Sequence, residues 1–244
     1  MPTYQAPRSD EARLSVLDKT ATVAPGDIAA TRPSITSATL AAVTPFLALF
    51  RPLYQAVASA LSGREKEVRE REAARVALDT YVRDFWEVLK RRAHRLKQPA
   101  EILAFYGLPL DGNIPDITTF AQLVNWADKI IQGETDAVAA GYPAMANPSA
   151  AEIVPILANA RVQDADVPPA DRTHDDTQAA VAAQRATADL LIEDIRADLL
   201  SSLRRLDAPS QRRVMRNYGL TFVSLPGEPA DPGETTPPAE PPPA

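Results

Sequence analysis

The stretch REAARVALDTYVRDFWEVLKRRAHRL, residues 71–96, decides how this chain folds, because its construction occurs twice. Its apolar positions Leu78, Val82, Phe85, Leu89, Ala93 and Leu96 advance in steps of three and four. At 3.6 residues per turn those steps place all six on one narrow stripe of an α-helix. Moving 110 residues along gives Ala188, Ile192, Ile195, Leu199, Leu203 and Leu206, apolar again. Other residue types recur with them: Arg75, Asp79, Asp84, Arg95 and Pro99 return as Arg185, Asp189, Asp194, Arg205 and Pro209.

The same offset reaches outward from the helix. AAVTPFLA at 41–48 lies over AEIVPILA at 151–158, and Asp18-Lys19 over Asp128-Lys129. Each long helix is followed by a proline and then by Tyr-Gly-Leu, at Tyr106-Gly107-Leu108 and Tyr218-Gly219-Leu220. A bias toward alanine and leucine explains shared apolarity, but not prolines recurring in register, nor one shift common to segments dozens of residues apart. The expectation is a duplicated unit. The fold class is therefore all-α: a tandem duplication of a four-helix unit, with short extended segments and a Pro-rich C-terminal tail. The boundaries expected are a flexible leader over 1–9, a first segment over 10–115, a second over 116–225, and a Pro/acidic tail over 226–244.

Within each segment the elements follow from local signals. Asp10 is a candidate N-cap for a helix ending near Val23, before Pro25-Gly26, and Thr119 for one ending near Gly133. Leu40, Val43, Leu47, Phe50, Tyr54, Val57 and Leu61 form an apolar seam on the second helix. Ser62-Gly63 reads as a tight turn folding it back on the third. In the second segment Val162–Thr173, with Pro168-Pro169, reads as a loop, after which Asp175 or Asp176 caps the third helix. Pro99 and Pro209 suit the first turn of a short fourth helix. Thr221–Leu225 is a candidate strand, and the eight prolines of Leu225–Ala244 exclude that stretch from any core.

Composition narrows the function. The net charge is −6, and the tail holds four acids and no base, which leaves −2 on the rest; a general nucleic-acid binder would carry a basic surplus. The absence of cysteine excludes disulfides and thiolate chemistry. Ala38–Leu61 is nearly long enough to span a bilayer, but Arg51 near its centre would cost roughly 2.5–3.5 kcal/mol. The matching stretch 150–160 is too short to span anything. No membrane span is expected, and the start carries no secretory signal, which makes the cytoplasm the default and leaves a surface appendage or virion open.

No phosphate loop, nucleophile elbow, paired-histidine helix or dinucleotide fingerprint is present. Asp171, His174, Asp175 and Asp176 match no established metal loop and read better as helix-capping acids. Neither catalytic residues nor a metal or cofactor is expected. Two surfaces remain. One is the paired Tyr106, Gly107, Leu108 and Tyr218, Gly219, Leu220 with Phe222 and Leu225, a candidate interface. The other is an anion patch of Arg91, Arg92, Arg95, Arg212, Arg213 and Arg216, although cations near helix C-termini also answer the helix dipole. The sequence thus points to a non-enzymatic structural or assembly protein, self-associating into a homo-oligomer or filament. The alternative is an adaptor that binds an anionic or peptide partner through the arginine-rich helix ends.

Overall fold

The computed structural model describes residues 2–224. They form six helices and one pair of short strands, an all-α fold. In chain order these are β1 (Thr3–Gln5), α1 (Asp10–Ala29), α2 (Ser37–Arg95), α3 (Glu101–Phe105), α4 (Phe120–Ala139), α5 (Ala150–Ser202), α6 (Ala208–Asn217) and β2 (Thr221–Val223). The tail beyond Ser224, including Leu225, lies outside the described residues.

The helix starts follow from capping chemistry. Ser9, not Asp10, caps α1: its hydroxyl accepts from Ala12 N at 3.1 Å, which frees the Asp10 carboxylate for Arg13 and Arg185. Thr119 caps α4 in a full capping box with Gln122. Asp207 caps α6, with Pro209 in its first turn. The two 20-residue helices α1 and α4 begin 110 positions apart, and each is followed by a left-handed residue, Thr31 (φ 53°) or Gly141 (φ 89°).

The expected helix stops at Gly63, at Pro25 and at Pro168-Pro169 do not occur. Helix α1 runs through Pro25, α2 through Pro45, Pro52 and Gly63, and α5 through Pro155, Pro168 and Pro169. All six prolines lie on exposed faces. Water therefore reaches the carbonyls that a proline leaves unbonded, and the usual cost of about 3 kcal/mol for an interior proline is moderated. Gly63 costs about 1 kcal/mol relative to alanine. The ion pair of Arg64 with Asp171, which ties α2 to α5, and the burial of Ala74 and Leu78 further along oppose that loss. Asp175 and Asp176 consequently lie inside α5 and cap nothing. Helix α4 passes Gly133 as well, because that glycine is a packing contact: a Cβ there would sit 2.1 Å from Phe105 O.

The leader is ordered over part of its length. Thr3–Gln5 pairs antiparallel with Thr221–Val223, with Tyr4 opposite Phe222. Their rings lie 6.1 Å apart, and the Arg196 guanidinium sits 4.7 Å above Tyr4.

The chain divides into two compact units whose limits differ from the segments 10–115 and 116–225. Unit 1 takes the chain up to Ser59 and from Asp175 onward, and unit 2 takes Ala60–His174. The core of unit 1 joins α1 and the first part of α2 to the last part of α5 and α6, through Leu17, Val43, Phe50, Ile192, Ile195, Leu199 and Tyr218. Unit 2 joins the rest of α2 and α3 to α4 and the first part of α5, through Leu78, Phe85, Trp86, Leu89, Tyr106, Leu123, Ile130 and Ile153. The stripe positions Phe85 and Ile195 are both fully buried, as are Leu89 and Leu199. Leu96 and Leu206 are not: they are 53% and 41% exposed. Each follows the last helical residue, Arg95 or Ser202, so the helical period no longer aims it at the core.

Candidate interaction surface

The Tyr-Gly-Leu pairs are spent inside the chain. Tyr106, Leu108, Tyr218 and Leu220 are all buried, and Phe222 is half-buried against Tyr4. In unit 2 the Tyr106 hydroxyl donates to Glu134 Oε2 at 2.6 Å, and Met145 N donates to the other carboxylate oxygen at 2.6 Å. In unit 1 the Tyr218 hydroxyl donates to Asp27 Oδ2 at 2.9 Å, while Arg32 pairs with that carboxylate at 3.1 Å. Both backbone carbonyls also accept side-chain bonds, Tyr106 O from Trp86 Nε1 at 3.3 Å and Tyr218 O from Thr20 Oγ1 at 3.4 Å. Burial, then the hydrogen bond to the carboxylate, pushes both phenols well above the ordinary tyrosine range. The glycines serve the same packing. Each has positive φ, and a Cβ on Gly107 would meet the Trp126 ring at 2.7 Å and one on Gly219 the Val16 Cα at 2.9 Å. The surface expected between subunits is thus an interior joint in each unit.

The arginine patch is also partly committed. Arg91 Nε donates to Glu87 O at 3.2 Å, and Arg92 donates to Ala144 O at 2.8 Å and to Pro143 O. Arg212 is buried, and Arg216 lies 5.5 Å from the Phe222 ring centre. Arg95 and Arg213 are exposed. The recurrent Arg75/Asp79 and Arg185/Asp189 pairs do not bond within themselves. Arg75 takes Glu72 and Asp79 takes Arg83, whereas Arg185 and Asp189 reach α1, with Arg185 on Asp10 at 2.8 Å and Arg13 on Asp189 at 2.7 Å. The hydrogen bond from Arg185 holds the Asp10 carboxyl below its usual range. These partners are 175 or more residues apart, so no local spacing announces them. Asp171 is likewise engaged by Arg64. Among the described residues no group of three or more His, Asp or Glu side chains is placed to hold a metal ion.

What stays uncovered is an apolar stripe on each long helix. In unit 1, Ala41, Ala42, Pro45, Ala48, Leu49 and Pro52 of α2 are exposed, Leu49 by 49%. Between Ser37 and Gly63 the one charged residue is Arg51, and Asp18 of α1 neutralises it. In unit 2 the positions 110 further on stay apolar at Ala151, Pro155, Ala158 and Val162, with exposed Glu152 and Asn159 in place of Ala42 and Leu49. Ala151, Val154, Pro155, Ala158 and Val162 of α5 are exposed, Val154 by 47% and Val162 by 56%, and Arg161 pairs with Asp128 at 2.6 Å. By length and composition α2 is also apolar enough to cross a membrane. In its apolar first part Phe46, Leu47 and Phe50 are buried in unit 1, whereas Leu49 and several alanines and prolines are exposed.

The chain matches no family model, no curated protein and no solved structure.

Proposed function

We propose that this protein is a duplicated helical module acting as a non-enzymatic structural or assembly subunit, which associates with further copies of itself through the outer stripes of α2 and α5. The observation that carries the reading is the repeated uncovered stripe: two exposed, largely apolar faces, one per unit, that share alanines and a proline at Ala41/Ala151, Pro45/Pro155 and Ala48/Ala158, with their nearest arginines already paired. Two like faces per chain suit repeated contacts that extend an assembly. The half-buried carboxylates Glu134 and Asp27 are occupied by tyrosine and by backbone or arginine donors, which supports a structural use for them.

Size sets the strength expected. A helical stretch of about 12 residues is about 18 Å long and a stripe about 10 Å wide, roughly 180 Å² on each partner. One such contact buries less than the ~1,000 Å² of a stable interface. Association through one stripe is therefore weak and concentration-dependent, and the use of both stripes strengthens it. Sedimentation velocity across a concentration series tests this. Larger species should grow with concentration, and Ala48→Glu and Leu49→Glu on α2 combined with Val154→Glu and Ala158→Glu on α5 should return the protein to monomer with unchanged circular dichroism. A wild-type protein that remains strictly monomeric at high concentration overturns the proposal.

The adaptor reading keeps one specific observation, the exposure of Arg95 and Arg213 at helix ends. It requires salt-sensitive binding of an acidic peptide that Arg95→Ala and Arg213→Ala weaken.

A further inference from the structure

A groove of about 460 Å³ opens in unit 1 where β1 leads into α1. Its apolar wall includes Pro7, Ala12, Val16 and Gly219, and Arg8 and Lys19 also line it. Neither cation has an ion-pair partner among the described residues, unlike Arg13, Arg51 and Arg185 of the same unit. The volume lies in the range of small-molecule pockets, and a mainly apolar wall with a few polar groups is their usual make-up.

Unit 2 holds a filled version of the same place. Val16, Lys19 and Gly219 correspond to Trp126, Lys129 and Gly107, the first two by the 110-residue offset and the glycines as the centre of each Tyr-Gly-Leu. There the Trp126 indole lies on Gly107, and Lys129 Nζ sits 4.1 Å from the ring centre. In unit 1 the lysine stem keeps its position against the glycine: a Cβ on Gly219 would be 3.2 Å from Lys19 Cδ, as one on Gly107 would be 3.3 Å from Lys129 Cδ. Valine supplies no ring, so among the described residues the Lys19 ammonium meets neither an aromatic face nor a carboxylate. Arg8 lines the same groove and adds a second charge with no ion-pair partner among the described residues.

We propose that this groove binds a small aromatic carboxylate, whose ring takes the place that the Trp126 indole fills in unit 2 and whose anion meets Lys19 and Arg8. The ring recovers the cation–π contact that Lys129 makes. The carboxylate accepts charge-assisted hydrogen bonds, which separates the anion from its neutral analogue.

The test uses the full chain and three probes: indole-3-acetate, neutral indole and acetate. Calorimetry, with amide shifts of the 15N-labelled protein, reads affinity and place. Indole-3-acetate should bind about tenfold more tightly than either part alone, the difference expected of hydrogen bonds to a charged group. Shifts should centre on Ala12, Val16, Lys19 and Gly219. Lys19→Glu, at an exposed position, should abolish binding, and Val16→Trp should close the groove with its own ring. Equal affinity for indole and indole-3-acetate, full binding by Lys19→Glu, or no binding at millimolar concentration each overturns the proposal.

Discussion

Gly63→Ala and Gly133→Ala make the same chemical change inside two helices and should move stability in opposite directions. Both replacements gain about 0.8–1.0 kcal/mol of helix propensity, since alanine loses less backbone entropy on folding. At Gly63 nothing lies within 4 Å of the added Cβ, so the gain stands. At Gly133 the Cβ would meet Phe105 O at 2.1 Å and Phe105 C at 2.7 Å. Ordinary contact needs more than 3 Å, so α3 and its following turn must retreat by about an ångström. That turn is held by Tyr106, whose hydroxyl is bonded to Glu134 on α4 itself and whose carbonyl is bonded to Trp86. Overpacking of this kind costs about 1–3 kcal/mol and more where backbone must shift. Lost bonds to Tyr106 add about 1–2 kcal/mol. The net expectation for Gly133→Ala is a loss of about 2 kcal/mol, or roughly 4–8 °C in midpoint for a chain of this size, against a rise of about 2–4 °C for Gly63→Ala. Thermal unfolding followed by far-ultraviolet circular dichroism measures both. A Gly133→Ala protein as stable as the wild type would refute the close packing of α4 on α3.

Four further outcomes follow from contacts elsewhere in the two units. Tyr106→Phe and Tyr218→Phe each remove the donor to a partly buried carboxylate and should cost about 1.5–3 kcal/mol in urea unfolding, whereas substitution of an exposed tyrosine should cost little. The phenol pKa values are raised on folding, so the associated stability is complete below the ordinary tyrosine pKa near 10 and declines as pH rises through the raised values. Alkaline unfolding should begin above pH ~10, with late ionisation of these two phenols in ultraviolet titration and an earlier onset when their carboxylate partners are neutralised. Asp10 behaves oppositely: its lowered pKa gives stability that is present above the ordinary carboxylate range near 4 and is lost as pH falls through the lowered value. Asp10→Asn should therefore flatten the acid limb of the stability profile. Pro168→Ala with Pro169→Ala restores two backbone donors inside α5 and should raise stability by about 1–3 kcal/mol without loss of helicity, as calorimetry can establish.

The helical class and the buried stripe were legible because periodicity reports which side of a helix meets a core, whatever the partner. Val82, Phe85 and Leu89 are buried as the steps of three and four require. The capping threonine at 119 was legible because its chemistry is local. Gly63 and Pro168-Pro169 misled because a breaker's cost depends on what surrounds it. An exposed proline leaves its orphan carbonyl to water, and one glycine within 59 helical residues is outweighed by packing on either side. The tyrosine–carboxylate joints and the Arg13–Asp189 contact had no sequence signal, since their partners come together only when distant segments pack.

The same failure at Gly63 and Pro168-Pro169 concealed which segments pack with which. A turn at 62–63 would fold the later part of α2 back toward α1, and each sequence segment would close on itself. A continuous helix instead separates residues 37–59 from 60–95 and assigns them to different units. Helix α5 does the same at 174–175. Tyr106 of the first segment consequently bonds Glu134 on α4 of the second, while Tyr218 of the second bonds Asp27 on α1 of the first. The glycines repeat the exchange, Gly107 against Trp126 and Lys129, Gly219 against Val16 and Lys19. The ion pairs Arg51–Asp18 and Arg161–Asp128 do not exchange, since each links the first two helices of its own segment. Each unit thus combines a helical hairpin from one segment with the long-helix end and short helix of the other. The 110-residue offset relates residues of similar type, but helix continuity determines their partners.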